Sequence, residues 1–459
     1  MPREPNTLLA AVMRRAGFSN TNLAAHVRRI AQEQGADLKC THVDVRRWLD
    51  GVTPRQATAG FIATALSRKV GFRVGLTDIG MGSLGSATTV LDSALDYPPD
   101  GPAAGQQLLD LTRRDLADDA RGLDAAIVPD AWTQPALAWL LSRPEPLPAR
   151  AGARISVGES DVAAVRTTVQ LFMRMDFQFG GGHARAALAQ YFAHDVHPLL
   201  EGKFSEKVGR DLFSAAAEVA QLLGWTAYDV GSHGLAQRYL LQGLRLAQAA
   251  DDRMMGSRLL SNMSHQATYL GHFGQAVQLA RAAQEGSRGA ASATTMSMFL
   301  AMEARAHAGD GDGAACSQAL REAERIFEGR LTGDDPEWIS YFDAAELAGE
   351  GSHCFRDLRS PRTAQQFIAR AEELTDPAYV RTLAFIRLVH AASVCQQREP
   401  GHAVELATEA ISLAGSLKSS RYLRYIRDLC TDLDEYAGDA DVQAFRELVR
   451  GKYPSLLTG

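Results

Sequence analysis

Apolar and small residues recur along the second half of this chain at the spacing of helices that touch closely. Five pairs of small residues stand seven positions apart: Ala236/Gly243, Ala276/Ala283, Cys316/Ala323, Ala364/Ala371 and Ala403/Ala410. Successive pairs begin 40, 40, 48 and 39 residues apart. Positions seven apart fall on one face of a helix, two turns on, and small side chains there let a neighbouring helix approach. From about Asp161 the apolar positions keep a 3.6-residue period, broken by short Gly, Asp or Pro turns and without strand-like alternation. The pattern predicts helical hairpins repeated about every 40 residues, an α-solenoid. Ala186 and Ala193 extend it by one hairpin, with Gly181 five before Ala186 just as Gly231 and Gly271 stand five before Ala236 and Ala276. Residues 420–453 lack the pair and read as a capping unit.

The N-terminal pattern is different. Asn6 or Thr7 caps a first helix carrying Leu8, Leu9, Val12 and Met13 and ending at Gly17. A second runs from about Thr21 to near Gly35 with Leu23, Val27 and Ile30 on one face. Thr41 caps a third, on which Val45, Trp48 and Leu49 are the apolar stripe; Gly51 ends it and Pro54 prevents continuation. A fourth spans about Ala57 to Val70. Residues 76–155, rich in Gly and Pro, read as a helical connector with Trp132 and Trp139 among its anchors. The reading is therefore all-α in three parts: residues 1–75, 76–155 and 156–459.

Charge sharpens this division. The chain carries −6 overall, yet residues 1–75 hold twelve Lys/Arg against five acids, a net of +7, which leaves −13 for the remainder. A basic head on an acidic body implies that the head meets a polyanion. With Val45 and Trp48 turned inward, Val43, Arg46 and Arg47 face out, and Thr41 and His42 sit at the N-terminus of the third helix. Arginine pairs bidentately with guanine, and Val43 can meet a thymine methyl. Asn20, Thr21, Arg28, Arg29 and Arg55 complete the candidate DNA-binding set, as contacts to phosphate. Double-stranded DNA is the expected partner, and a homodimer is implied because one short helix reads few bases.

Gly17-Phe18-Ser19-Asn20, Leu23-Ala24 and Val27, followed by Thr41 through Gly51 and Pro54-Arg55, resemble the head of actinobacterial helix-turn-helix/tetratricopeptide-repeat transcriptional regulators. Phe177 through Arg185, with Ala187-Leu188 and Tyr191, is similar to the opening of the sensor half in that family, whose layout is shared by peptide-responsive quorum-sensing regulators. The resemblance implies a helix-turn-helix followed by a tetratricopeptide-like solenoid that takes a peptide or protein signal. Two departures stand: Gln34 to Lys39 lengthens the junction before the third helix, and the period is nearer 40 than 34. Which of Arg46 and Arg47 reaches a base stays open.

In stacked hairpins the first helices line the concave face, which makes Arg174, Asp176, His183, Arg185, Asn262, His265, Tyr269 and Arg305 candidate ligand contacts. Enzymatic chemistry is not expected, since no catalytic constellation or cofactor fingerprint emerges. Gly80 to Gly85 matches G-x-G-x-x-G without the β-α-β context it needs. His194-Asp195-x-His197 offers too few ligands for zinc. Five scattered cysteines, the absence of a signal peptide and the absence of a membrane-length apolar run point to the reducing cytoplasm. The alternative function is a tetratricopeptide scaffold or adaptor without sequence-specific DNA binding.

Overall fold

The computed structural model describes residues 5–33, 36, 38–70, 79, 81, 91–117, 125–147, 155–330, 335–377, 379–415, 417–454 and 456. Among them the protein is all-helical; no strand forms, and a single isolated bridge joins Ser156 to Lys203. Gly80, Gly82 and Gly85 of the G-x-G-x-x-G match lie outside the described residues. The chain divides into two compact units, Met1–Thr89 and Val90–Gly459.

The small unit contains α1 (Thr7–Ala16), α2 (Asn20–Glu33), α3 (His42–Leu49) and α4 (Gln56–Val70). The Asn6 side chain accepts from the Leu9 amide at 2.9 Å, which starts α1, and Gly17 ends it in the left-handed region at φ 64°. α2 packs on α3 and α4, and α1 on α4. Leu9, Leu23, Val27, Ile30, Val45, Ile62 and Leu66 are fully buried between them, with Trp48 sealing α3 against the rest.

The large unit begins with α5 (Gly101–Ala117) and α6 (Thr133–Leu140), then α7 (Glu159–Phe179), α8 (Gly181–Tyr191) and the short α9 (His197–Leu200). Helices in adjacent pairs follow: α10 (Glu206–Asp229) with α11 (His233–Ala249), α12 (Arg253–Tyr269) with α13 (Phe273–Gly286), and α14 (Ala293–Gly309) with α15 (Gly313–Glu328). The next pairs are α16 (Ala344–Asp357) with α17 (Pro361–Leu374) and α18 (Val380–Cys395) with α19 (Pro400–Ala414); α20 (Ser420–Asp432) and α21 (Ala440–Lys452) end the chain.

All five small-residue pairs lie on the second helices, α11, α13, α15, α17 and α19, and all ten residues are buried. Close approach is visible in the hydrogen bonds across these seams. The Ser264 hydroxyl of α12 reaches the Ala276 carbonyl of α13 at 2.8 Å, and Ser297 of α14 reaches the Ala323 carbonyl of α15 at 2.9 Å. Five residues before each first small residue the backbone is left-handed: Gly231, Gly271 and Gly311, then Arg359 (φ 52°) and Arg398 (φ 66°). The turn geometry is thus kept even where the residue is not glycine, at a steric cost of about 1–2 kcal/mol per position.

The expected sixth pair is corrected. Ala186 and Ala193 are only half-buried, while Ala184, Leu188, Ala189 and Phe192 fill the core. The left-handed residue here is Gly180 (φ 83°), so the fifth position is Arg185, and a π-turn over Phe192–Val196 rotates the buried face of α9 relative to that of α8.

The stretch 76–155 does not stand apart as a connector where it is described. Trp132 and Trp139 are 1% exposed and belong to the main core of the large unit. Trp139 is wedged between Gly256 and Gly286, where a Cβ would come within 2.3 and 2.1 Å of its ring. Arg245 of α11 donates to the carbonyls of Pro98 and Pro99 at 2.8 and 2.6 Å and grips Glu145 with two bonds. This buried arginine of α11 thus binds carbonyls of the Pro98-Pro99 loop, which have no helical partner.

Candidate functional site

Two surfaces carry the chemistry singled out in the sequence, one in each unit. In the small unit, the Thr41 amide and hydroxyl both donate to the Asp44 carboxylate at 2.8 Å, which holds the start of α3. These two bonds draw Asp44 below the usual carboxylate range. Behind this cap, Val45 and Trp48 are buried, while Thr41, His42, Val43, Arg46 and Arg47 are exposed. Val43 is 52% exposed. Thr21, Arg29 and Arg55 are exposed and Asn20 half-buried. Arg28 is otherwise engaged: its guanidinium donates to the Cys40 carbonyl and ties α2 to the segment before α3. The residue is itself exposed.

The large unit holds a partly open cavity of about 860 Å³. Its walls come mainly from α10, α12, α14, α16 and α18, the partners of the small-residue helices and not those helices themselves, together with α7 and α20. Along α12 the lining residues are Arg258, Ser261, Asn262 and His265, a polar stripe opposite the apolar one. Gln221 of α10 donates to the Asn262 side chain at 2.7 Å, and Arg305 of α14 meets Glu350 of α16 at 2.5 Å. His265 and His353, each within hydrogen-bond reach of a tyrosine hydroxyl, are held neutral by burial and by neighbouring arginines. Glu346 is pushed up to about 8 by burial and then by Glu350 and Asp343.

Ion pairs between distant parts of the chain join the walls of the cavity. Asp229, at the end of α10, is fully buried and accepts from Arg381 of α18 (2.8 Å), Arg421 of α20 (2.9 Å), the Ser419 hydroxyl (2.9 Å) and the Gly181 amide (3.0 Å). Arg381 also donates to the Asp176 carbonyl at 2.7 Å. Burial alone would raise Asp229, but Arg381 and Arg421 outweigh it and hold the carboxyl low; at Asp176 burial wins and raises it. The Arg421 guanidinium also lies over Trp225, Tyr228 and Phe385, 4.8–5.5 Å from each ring.

Of the candidate ligand contacts, Arg174, Asp176, Asn262, His265 and Arg305 line this cavity. His183, Arg185 and Tyr269 do not. His183 is exposed on α8 with its ring against Phe179. Arg185 pairs with buried Asp115, which also accepts from the Tyr239 hydroxyl at 3.0 Å. Tyr269 ends α12, and its ring and carbonyl are both covered by Arg424. Arg258, Arg381, Arg421 and Glu350 were missed in the sequence. Their signal was a charged residue inside an otherwise apolar helix, which alone does not separate a lining residue from a solvated one. His194 is exposed and His197 buried, and among the described residues no three His, Cys, Asp or Glu could share a metal ion. Nor, among them, is any helix long and apolar enough to cross a membrane.

Residues 9–82 match the family model described as the SP15 N-terminal domain. No curated protein and no solved structure matches the chain.

Proposed function

We propose that this chain is a cytoplasmic, DNA-binding transcriptional regulator. In this reading residues 1–75 are a helix-turn-helix that docks α3 in the major groove, and the large unit is a tetratricopeptide-like α-solenoid that receives a peptide or protein signal. The carrying observation is the division of α3: Val45 and Trp48 anchor it, and Thr41, His42, Val43, Arg46 and Arg47 are left to solvent. A short helix with two adjacent arginines, an exposed valine and a capped N-terminus presents what base edges and phosphates require. The net charge of +7 over residues 1–75 supports the same partner.

A ligand in the cavity would touch Arg421, which both lines it and holds Asp229. Occupancy would thereby bias the ion pairs that join the cavity walls, and a changed arrangement of those walls would alter the spacing of two heads in a homodimer. Two half-sites about 34–36 Å apart would register that change.

Selection of bound duplexes from a random pool, followed by gel shift at several salt concentrations, tests the reading. Enrichment of an inverted repeat is expected, with specific binding abolished by Arg46→Ala combined with Arg47→Ala while helical content stays intact. No enrichment would favour a scaffold instead, and specific binding retained by the double variant would remove α3 from the interface.

A further inference from the structure

Most charges around the cavity are answered from within the protein. Glu350 has Arg305, Asp176 has Arg381, and Asp343 accepts from the Ala345 and Glu346 amides at the start of α16. Arg258 is different. It lines the cavity with only 6% of its surface exposed, and among the described residues it makes no ion pair and no hydrogen bond to an oxygen. Its neighbours are the Met173 sulfur at 3.9 Å and the Trp338 ring, 4.5 Å from centroid to guanidinium carbon. Glu218, whose negative charge also acts on Arg258, is engaged by Arg166 at 3.3 Å.

A buried guanidinium has five donors and is costly to leave without an acceptor. The missing oxygens are left to water in the cavity or to a bound ligand. One turn along α12, Asn262 accepts from Gln221, which leaves its own amide hydrogens as further donors on the same face. Trp225, Tyr341, Phe385 and Met298 give the rest of the space an aromatic and thioether lining. A volume of about 860 Å³ is within the range of small-molecule sites. Among the described residues Arg174 also lines the cavity without an ion pair, but it is exposed to solvent. Arg258 is thus the buried guanidinium left unanswered among several carboxylates; this matches a monoanion, and its planar fork matches a carboxylate.

We propose that the cavity receives a small organic acid with an apolar body, its carboxylate seated on the guanidinium of Arg258 and the amide of Asn262. A free aliphatic or aromatic acid and the C-terminus of a short peptide share this chemistry. The assignment rests on reading the large unit as a sensor, and not on DNA binding.

The full chain is incubated with a pool of medium-chain fatty acids, arylacetic acids and short peptides, and separately with the same pool as methyl esters or C-terminal amides. Retained species are identified by native mass spectrometry. Acids are retained and their capped forms are not; the retained members distinguish a free acid from a peptide terminus. Arg258→Met weakens binding by about thirty-fold or more, while the ligand-free Tm stays unchanged or rises, because an unanswered buried charge has been removed. Equal retention of capped and free forms, unchanged affinity in Arg258→Met, or no retention from either pool overturns the proposal. So does a ligand-free Arg258→Met protein that fails to fold, which would make the arginine structural. Asn262→Ala, expected to weaken retention less, checks the second donor. Gel shift on the same samples separates the two readings: DNA binding without acid retention sinks only the cavity assignment, and acid retention without DNA binding sinks only the regulator.

Discussion

The exposed face of α3 and the cavity of the large unit are both built on arginine, yet they use it in opposite ways. Arg46 and Arg47 are solvated, so each keeps its hydration and costs the fold little. Arg245, Arg305, Arg381 and Arg421 are largely buried, and each is matched by a carboxylate or by backbone carbonyls. A charge in water is available to any partner, whereas a charge in a core is committed to one. Arg258 departs from both patterns: it is buried like the second group and uncommitted like the first.

The largest effect should come from breaking a buried set. Asp229→Ala leaves Arg381 and Arg421 without their shared anion, and the expected loss is about 3–5 kcal/mol. Denaturant unfolding of the full chain would measure it. The double change at Arg46 and Arg47 should move the same transition by no more than about 0.5 kcal/mol. Similar losses from the two changes would erase the contrast between the surfaces.

A pH series sharpens the comparison. In the unfolded chain Glu346 releases its proton near the ordinary 4.5, whereas in the folded protein it holds it up to about 8. The unfolded state therefore gains relative to the folded one as pH rises through this window, and stability falls. Glu346→Gln should flatten the decline between about pH 5 and 8, read as the difference in Tm between variant and wild type. Asp229 has the opposite sign: its carboxyl is held low, so its contribution is present above the ordinary carboxylate range and is lost on acidification. A decline as steep in the Gln variant as in the wild type would remove Glu346 from the account.

A gain in stability, small beside the loss at Asp229, concerns an arginine valued for neither role. Arg359 is exposed, but its backbone sits at φ 52°, where the equivalent residues of earlier hairpins are glycine. Arg359→Gly should stabilise by about 1 kcal/mol or less, because relief of the left-handed strain exceeds the added freedom of the unfolded chain. A destabilised variant would show that the Arg359 side chain contributes more than its backbone costs.

The sequence by itself determined the helices of the small unit to within a few residues, the pairing of helices in the large unit and which faces of α11, α13, α15, α17 and α19 are buried. Those features are local: a cap such as Asn6, a stop such as Gly17, or two small residues seven apart act within one or two turns. It also showed which arginines of α3 stay in solvent, since a three-residue apolar stripe on a short helix decides the rest of its surface. The tertiary structure alone decided that Asp229 would meet Arg381 and Arg421, partners 152 and 192 residues away. It likewise decided that Ala186 would not continue the repeat and that residues 91–117 and 125–147 would pack into the large unit. A stack of hairpins accumulates a small rotation at each step. Where its first and last helices meet depends on the sum of those rotations, which no local pattern records.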